Sequence, residues 1–305
     1  MHDTPKPRTG GLAILISITA GLFLFQEYVG NGLVSILPYA LLVIGTSFVD
    51  DMVSISALLR LGLQIIIATA IAFAGLTLEY LTFPGLDISI PPIIGIPLTV
   101  IFIVWIVNLY NFMDGMDGFS GGMATIGFGT FAILAYMKGD MNFALINLIV
   151  VAATLGFLVF NIPPSRIFLG DVGSTLYGML VALFILWADT KKIFPAWLGI
   201  IVFFPFVLDA TVTLGRRLLR GEKVWLAHRT HYYQRLVLSG LGHKKTLVLE
   251  YLWMLICSLV SVVLFQAGNL TTQIFLLILF ALLCIAILVY IDKLTNIVNS
   301  KNIST

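Results

Sequence analysis

Long apolar segments recur along the chain and are separated by short polar stretches. They run without alternation for about 15 to 20 residues, as at 33–49 and 274–291, which is typical of membrane helices. The pattern predicts ten spans, at about 11–27, 33–49, 61–78, 93–110, 120–137, 143–160, 174–189, 195–213, 248–267 and 273–291. Pro97 and Pro205 lie inside apolar segments, so we expect them to kink their helices.

The composition supports a membrane protein and excludes two other classes. Of the 305 residues, 59% are apolar and 10% are charged, and the mean hydropathy is +1.05. These values exclude a soluble globular domain and a disordered chain, and the continuous apolar segments argue against an outer-membrane barrel. We expect an all-α polytopic helix bundle that forms a single integral-membrane domain over 1–305. A small external hairpin is predicted within 79–92.

The distribution of positive charge orients this bundle. Ten spans place both termini on one side, and 14 of the 17 Lys and Arg residues fall on that side. The other side has only Lys138, Lys191 and Lys192. The positive-inside rule therefore predicts cytoplasmic termini, in a multi-pass protein of the inner (plasma) membrane.

Acidic residues collect at the predicted cytoplasmic ends of the spans. They come from four separate segments and are Asp50, Asp51, Asp114, Asp117, Asp171 and Asp209. Carboxylates suit Mg²⁺, the surrounding Lys and Arg suit an anionic substrate, and glycines at 115, 118, 121 and 122 let the backbone approach a ligand. This combination is typical of phosphoryl transfer.

Each of these features also has a simpler interpretation. Asp50 and Asp51 could cap the next helix, 114–118 could form two tight turns, and Asp209 could be a hydrogen-bonded residue of the bundle. His228 and His231 could be a zinc pair, but no further close ligand completes such a site. The functional interpretation is favoured because all the features share one predicted face.

Several segments together resemble a known family. NFMDGMDGFSGG at 111–122, FLGDVGS at 168–174 and the DD pair at 50–51 resemble the polyprenyl-phosphate N-acetylhexosamine-1-phosphate transferases, glycosyltransferase family 4. DTPKPRTGG at 3–11 is similar to the family's first cytoplasmic motif, and AHRTHYYQRL at 227–236 with GLGHKK at 240–245 is similar to its histidine loop. Family members usually have a span before the first motif, so we expect a truncated or misassigned start.

The resemblance implies a reaction. A sugar 1-phosphate of the N-acetylhexosamine type is transferred from a UDP-sugar to undecaprenyl or another polyprenyl phosphate, and UMP is released. The histidine loop is most like that of the O-antigen-initiating (lipopolysaccharide) branch. The main alternative is phospho-N-acetylmuramoyl-pentapeptide transfer in peptidoglycan synthesis.

Alternatives from other classes are a membrane transporter, a phospholipid-forming phosphotransferase and an inactive scaffold. Transport sites lie near the bilayer midplane, whereas these carboxylates lie at one end of the predicted spans. The D-G-x-x-A-R pattern of the phospholipid enzymes is missing, because Asp114-Gly115 is followed by Met-Asp-Gly.

The resemblance also implies roles for individual residues. The expected catalytic residues are Asp50, Asp51, Asp171, His228 and His231. Asp171 and Asp51 are the expected ligands of Mg²⁺, with Mn²⁺ as an alternative ion, and Asp50 handles the lipid phosphate as a base or by positioning it. The expected substrate-binding residues are Asn111, Asp114, Asp117, Arg60, Arg229 and Lys244, with Asp117 contacting uracil. The expected partners are a UDP-N-acetyl sugar, a polyprenyl phosphate, the membrane and a second copy in a homodimer, with no nucleic acid.

Overall fold

A computed structural model of the protein describes residues 6–29, 56–223 and 228–303, together with positions 38 and 45. Apart from those two positions, the predicted span at 33–49 lies outside the described residues. Asp50 and Asp51 lie outside them as well.

Helices dominate the described part of the chain. They are α1 (Gly10–Leu24), α2 (Gln26–Val29), α3 (Ala57–Phe73), α4 (Pro92–Met113), α5 (Phe119–Lys138), α6 (Met141–Asn161), α7 (Gly170–Thr190), α8 (Ala196–Val202), α9 (Phe204–Leu219), α10 (Tyr232–Leu236), α11 (Gly242–Gln266) and α12 (Leu270–Ile303). A π-helical turn, Val237–Leu241, joins α10 to α11.

The predicted fold class is confirmed. Within the described residues, six helical segments are long and apolar enough to cross a membrane, and a seventh span results if the bent pair of α8 and α9 is counted as one. Two shorter apolar helices, α1 and α3, add to these. The protein is an all-α polytopic membrane protein, and the total of ten spans stays a prediction.

Two predicted spans are wrong in detail. The segment 195–213 is not one helix, because α8 and α9 are bent by 83° at a break next to Phe203. Pro205 lies in the first turn of α9, where its missing N–H costs no hydrogen bond. The segment 61–78 ends early, since α3 stops at Phe73 and the N–H of Leu78 donates to Thr99 Oγ1 at 2.9 Å instead. Helix α4 continues through Pro97.

The hairpin predicted within 79–92 is confirmed. Strands β1 (Tyr80–Phe83) and β2 (Leu86–Ser89) pair antiparallel, with Phe83 opposite Leu86. The two-residue turn places Gly85 at a φ of +75°, in the left-handed region that glycine adopts without strain.

An aromatic cluster supports the helix ends at which the acidic loops begin. The Phe206 ring lies 5.0 Å from Tyr110 and 4.8 Å from Phe119, and the Tyr233 ring lies 4.9 Å from Phe119. The Tyr110 hydroxyl donates to the carbonyl of Ser120 at 2.9 Å, so this polar group has a hydrogen-bond partner inside the bundle. The cluster joins α4, α5, α9 and α10 beneath the loops.

Close backbone packing between α1 and α7 generates the first testable prediction. A Cβ at Gly11 would lie 2.2 Å from the Gly173 nitrogen and 2.5 Å from its Cα. Backbone atoms cannot move aside as the end of a flexible side chain can. Gly11→Ala is therefore expected to lower the free energy of unfolding by about 1–3 kcal/mol. Thermal unfolding of the detergent-purified protein measures this loss.

The matched control is Gly156→Ala on α6. A Cβ there would meet no atom of the described residues within 4 Å, and alanine is the better helix former. This variant should be at least as stable as the wild type. Equal melting temperatures for the two variants would contradict the close α1–α7 contact.

Candidate functional site

The loop between α4 and α5 contains two of the predicted carboxylates. Asp114 follows the last residue of α4, Asp117 lies three residues later, and Gly118 precedes α5 with a φ of +76°. The Gly118 N–H donates to Asn161 Oδ1 at 2.9 Å, and its carbonyl accepts from the Tyr251 hydroxyl at 2.6 Å. The loop is therefore held from α6 and α11.

The loop between α6 and α7 is fastened to the first one. Asn161 Nδ2 donates to the carbonyl of Ile167 at 2.9 Å, so a single amide side chain braces both loops. The N–H of Ser165 donates to Asp117 Oδ2 at 3.1 Å. Asp171 follows in the first turn of α7. The two acidic loops thus form one hydrogen-bonded unit.

These loops, together with Arg8, α10 and residues on both sides of α10, surround a cavity of about 890 Å³. Its lining includes three carboxylates and three cations, namely Asp114, Asp117, Asp171, Arg8, Arg229 and Lys244. All three cationic side chains are exposed, and none has a salt bridge or hydrogen bond within the described part of the chain. The cavity can therefore accept a cation at its carboxylates and an anion at its basic groups.

Asp114 shows how strongly the carboxylates affect one another. The pKa of this carboxyl group is raised to about 7, mainly by burial and in smaller part by the negative charges of Asp171 and Asp117. A cation in the cavity would favour the ionised form by offsetting this repulsion. Asp114 is only partly ionised near neutral pH without such a cation.

The donor set of the cavity fits Mg²⁺. This ion takes oxygen ligands, usually one or two protein carboxylates, and completes its shell with water and phosphate oxygens. Among the described residues, no three His, Cys, Asp or Glu side chains come close enough to hold a metal ion on their own. The set therefore suits an ion shared with a bound phosphate. Asp51, the second predicted ligand, lies outside the described residues, as does Asp50.

Asp209 on α9 organises the start of α10. Its Oδ1 accepts from His231 Nδ1 at 3.0 Å, from the Tyr232 N–H at 2.9 Å and from Thr213 Oγ1 at 3.0 Å. Its Oδ2 accepts from the Tyr233 N–H at 3.0 Å. The interpretation of Asp209 as a hydrogen-bonded residue of the bundle is confirmed.

The two predicted catalytic histidines are not among the described residues that line the cavity. The His231 side chain is 3% exposed, and its ring lies 4.8 Å from that of His228. Partial burial lowers the pKa of His228 to about 4, and the nearby positive charges of His231 and Arg217 contribute to the shift. Catalytic roles for both histidines stay predictions.

Two predicted substrate-binding residues also lie outside the described lining. Asn111 Oδ1 accepts from the Ser174 hydroxyl at 2.9 Å, which joins α4 to α7 one turn from Asp171. Arg60 lies in the first turn of α3. The structure thus brings Asp114, Asp117, Asp171, Arg229 and Lys244 together and places Asn111 next to them through Ser174.

Sequence reasoning missed five polar residues that line the cavity, namely Arg8, Asn161, Tyr233, Gln234 and His243. The GLGHKK segment indicated the region but singled out only Lys244. Gly240 and Gly242 have φ values of +97° and +72°, and this turn lets His243 and Lys244 share the cavity. In the sequence, the two glycines that flank an apolar residue were the available indication of this turn.

Comparison with known proteins identifies the family. The family model of glycosyl transferase family 4 matches residues 33–189. A probable undecaprenyl-phosphate N-acetylglucosaminyl 1-phosphate transferase of Bacillus subtilis (strain 168) is 32% identical over 304 residues, which cover 99% of this chain and 84% of that protein. The chain belongs to glycosyl transferase family 4. The resemblance noted from its motifs is confirmed.

Other relatives in this family also match most of the chain. A decaprenyl-phosphate N-acetylglucosaminephosphotransferase of Mycobacterium leprae (strain TN) is 29% identical, with 83% of this chain and 72% of the relative covered. A phospho-N-acetylmuramoyl-pentapeptide-transferase of Staphylococcus saprophyticus is 30% identical, with 83% and 82% covered. These names do not distinguish the O-antigen branch, which stays a prediction.

The hydrogen bonds of Asp209 predict a loss of stability when its charge is removed. In Asp209→Asn an amide NH₂ replaces one acceptor oxygen, so at least one buried donor loses its partner. We expect the free energy of unfolding to fall by about 1–3 kcal/mol, measured by thermal unfolding in detergent. Thr213→Val removes a single donor and should cost less. Wild-type stability in Asp209→Asn would contradict the arrangement.

The lowered pKa of His228 predicts a pH dependence of stability. The unfolded chain takes up this proton near pH 6.5, whereas the folded protein does so near pH 4. Proton uptake therefore favours the unfolded state as the pH falls through this window. Between pH 6.5 and 4 the melting temperature of the wild type should fall more than that of His228→Gln. Parallel curves for the two proteins across the whole range would rule this out.

Proposed function

We propose that this protein transfers N-acetylhexosamine 1-phosphate from a UDP-sugar to a polyprenyl phosphate and releases UMP. The observation that carries the proposal is the cavity in which three carboxylates and three cations meet, at the ends of membrane helices, in a chain of glycosyl transferase family 4. UDP-N-acetylglucosamine is the favoured donor, because relatives covering 99% and 83% of the chain are named for N-acetylglucosamine.

The position of the cavity suits two substrates of opposite character. A polyprenyl phosphate presents its charged group at the plane of the lipid headgroups, and a nucleotide sugar arrives from water. A site at helix ends lets the two meet without burying a charge in the bilayer. With the distribution of Lys and Arg, this supports a single domain in the inner membrane with its active face in the cytoplasm. A homodimer stays a prediction from the resemblance.

The proposed reaction is a displacement at phosphorus. An oxygen of the lipid phosphate attacks the β-phosphorus of the UDP-sugar, and the bond from that phosphorus to the oxygen bridging to the α-phosphate breaks. UMP leaves with the electron pair. A phosphate monoester has a second pKa of about 6, so the attacking oxygen is already largely ionised near neutral pH. Asp50 would then position the lipid phosphate, and a dedicated base is unnecessary.

The residues of the cavity have the remaining roles in the proposed reaction. Asp171 would hold Mg²⁺ together with Asp51, and the bound ion supplies charge neutralisation at the diphosphate. Arg229 and Lys244 bind phosphate oxygens, and Asp117 contacts the nucleotide base. Alignment and electrostatic stabilisation account for most of the rate enhancement in such a site.

One specific observation favours a second donor. The Staphylococcus saprophyticus relative is named for phospho-N-acetylmuramoyl-pentapeptide transfer and is 30% identical over 83% of the chain. UDP-N-acetylmuramoyl-pentapeptide therefore belongs in the same assay. A transporter gains no support, because the carboxylates that share the cavity lie at helix ends.

The central test is UMP release by the purified protein with undecaprenyl phosphate, Mg²⁺ and a panel of UDP-sugars. We expect turnover with UDP-N-acetylglucosamine. Asp171→Asn and Asp114→Asn should each lower turnover by about 10²–10³-fold, the usual effect of losing one electrostatic contact to a transition state.

Asp140→Asn is the matched control. Asp140 caps the opposite end of α6 from Asn161, accepting from the Phe143 N–H at 2.9 Å, and asparagine can keep this cap. Its turnover should equal that of the wild type. Turnover with the pentapeptide donor alone would replace the sugar assignment, and no UMP from any donor in a folded sample would overturn the proposed function.

A further inference from the structure

Residues 6–11, here called the N-terminal strap, run along the loop that leads into α7. The Phe168 N–H donates to the carbonyl of Pro7 at 2.9 Å, and the Gly10 N–H returns a bond to the Phe168 carbonyl at 3.0 Å. The Gly11 N–H donates to the carbonyl of Leu169 at 2.9 Å. The strap is thus fastened by backbone hydrogen bonds to the segment that immediately precedes Asp171.

A second contact ties the strap to the other acidic loop. Lys6 Nζ donates to the carbonyl of Ser165, whose own N–H donates to Asp117 Oδ2. The approach between the segments is close, because a Cβ at Gly170 would lie 2.6 Å from the carbonyl oxygen of Arg8. The backbone of Arg8 therefore has a fixed position against the start of α7.

The side chain of Arg8 is free to bind a ligand from this position. It is exposed and lines the cavity that also contains Asp114, Asp117 and Asp171. Within the described part of the chain it makes neither a salt bridge nor a hydrogen bond. Some other arginines are paired, as Arg216 is with Asp292 at 2.9 Å. With respect to the described residues, Arg8 thus keeps all its donors, although carboxylates line the same cavity.

We propose that Arg8 binds a phosphate group of one of the two substrates, so that the N-terminal strap is part of the substrate site. The inference rests on the proposed function, which brings a diphosphate and a lipid phosphate to this cavity. A guanidinium presents two parallel N–H donors that match two phosphate oxygens, whereas a lysine ammonium is a point charge. The strap supplies the rigid backbone that such directed binding needs.

The test compares Arg8→Gln, Arg8→Lys and Arg166→Gln with the wild type. Arg166 is an exposed cation in the loop that leads into α7, but it does not line the described cavity, so its variant controls for general charge effects. KM and kcat are measured for UDP-N-acetylglucosamine and for undecaprenyl phosphate separately, with Mg²⁺ present. Thermal unfolding checks that each variant is folded.

Arg8→Gln is expected to raise the KM for one substrate by about 10–100-fold, the range of one charge-assisted hydrogen bond. The substrate whose KM rises carries the phosphate that Arg8 binds. Arg8→Lys should show a smaller increase, because the charge remains and the paired donors are lost. Arg166→Gln should stay within about twofold of the wild type.

Kinetic constants of Arg8→Gln equal to those of Arg166→Gln would overturn the proposal. A loss of stability without a change in either KM would also overturn it, because Arg8 would then contact only bilayer headgroups or the fold.

Equilibrium binding separates this inference from the proposed function. Titration with UDP-N-acetylglucosamine and with undecaprenyl phosphate gives an affinity for each without turnover. If the wild type releases no UMP, the proposed function fails, and weaker binding of either ligand by Arg8→Gln alone still supports the role of Arg8. If the wild type is active and Arg8→Gln binds both ligands as Arg166→Gln does, the role of Arg8 fails and the proposed function stands.

Discussion

The mutual repulsion of three carboxylates around one cavity is the constraint on which the rest of the site depends. Burial and the charges of Asp117 and Asp171 bring the pKa of Asp114 to about 7, so this arrangement favours a proton or a cation beside the carboxylate. The loops would separate if charge alone acted on them. They are held instead by neutral hydrogen bonds, chiefly those of Asn161 to both loops. A cation can therefore bind to carboxylates that are already in place.

The bilayer explains why this chemistry lies at one end of the bundle. Unsatisfied backbone groups are excluded from the hydrocarbon, so loops that bend around a ligand are tolerated at helix ends. The apolar interior then serves as a rigid support. The ring of Phe119 contacts Phe206 on one side and Tyr233 on the other, and Gly11 lets α1 meet the backbone of α7. Small shifts in the bundle would therefore be transmitted directly to the cavity wall.

The hydrophobic pattern predicts the helices and the hairpin because both depend on local periodicity and turn residues. It fails at 195–213, where an 83° bend separates two helices that together are apolar enough for one span. Hydropathy does not report the direction in which a helix runs. Topology also predicts that Asp114, Asp117 and Asp171 share a face, because each follows or begins a predicted span. Arg8 and His243 could not be found in this way. Arg8 is placed by backbone pairing with a segment 160 residues away, and His243 by positive φ values at two glycines.

The contrast between Asp209 and the carboxylates of the cavity argues for catalysis by alignment. Asp209 accepts hydrogen bonds from four donors, so little acceptor capacity is left for a substrate proton. The histidine bound to it is 3% exposed. Both residues hold the start of α10 in place, and Tyr233 and Gln234, which follow directly, line the cavity. A phosphate nucleophile that is ionised near neutral pH has no proton to give up. The proposed reaction therefore needs substrates held in fixed positions and negative charge that is neutralised. The buried Asp209–His231 pair contributes to the fixed positions.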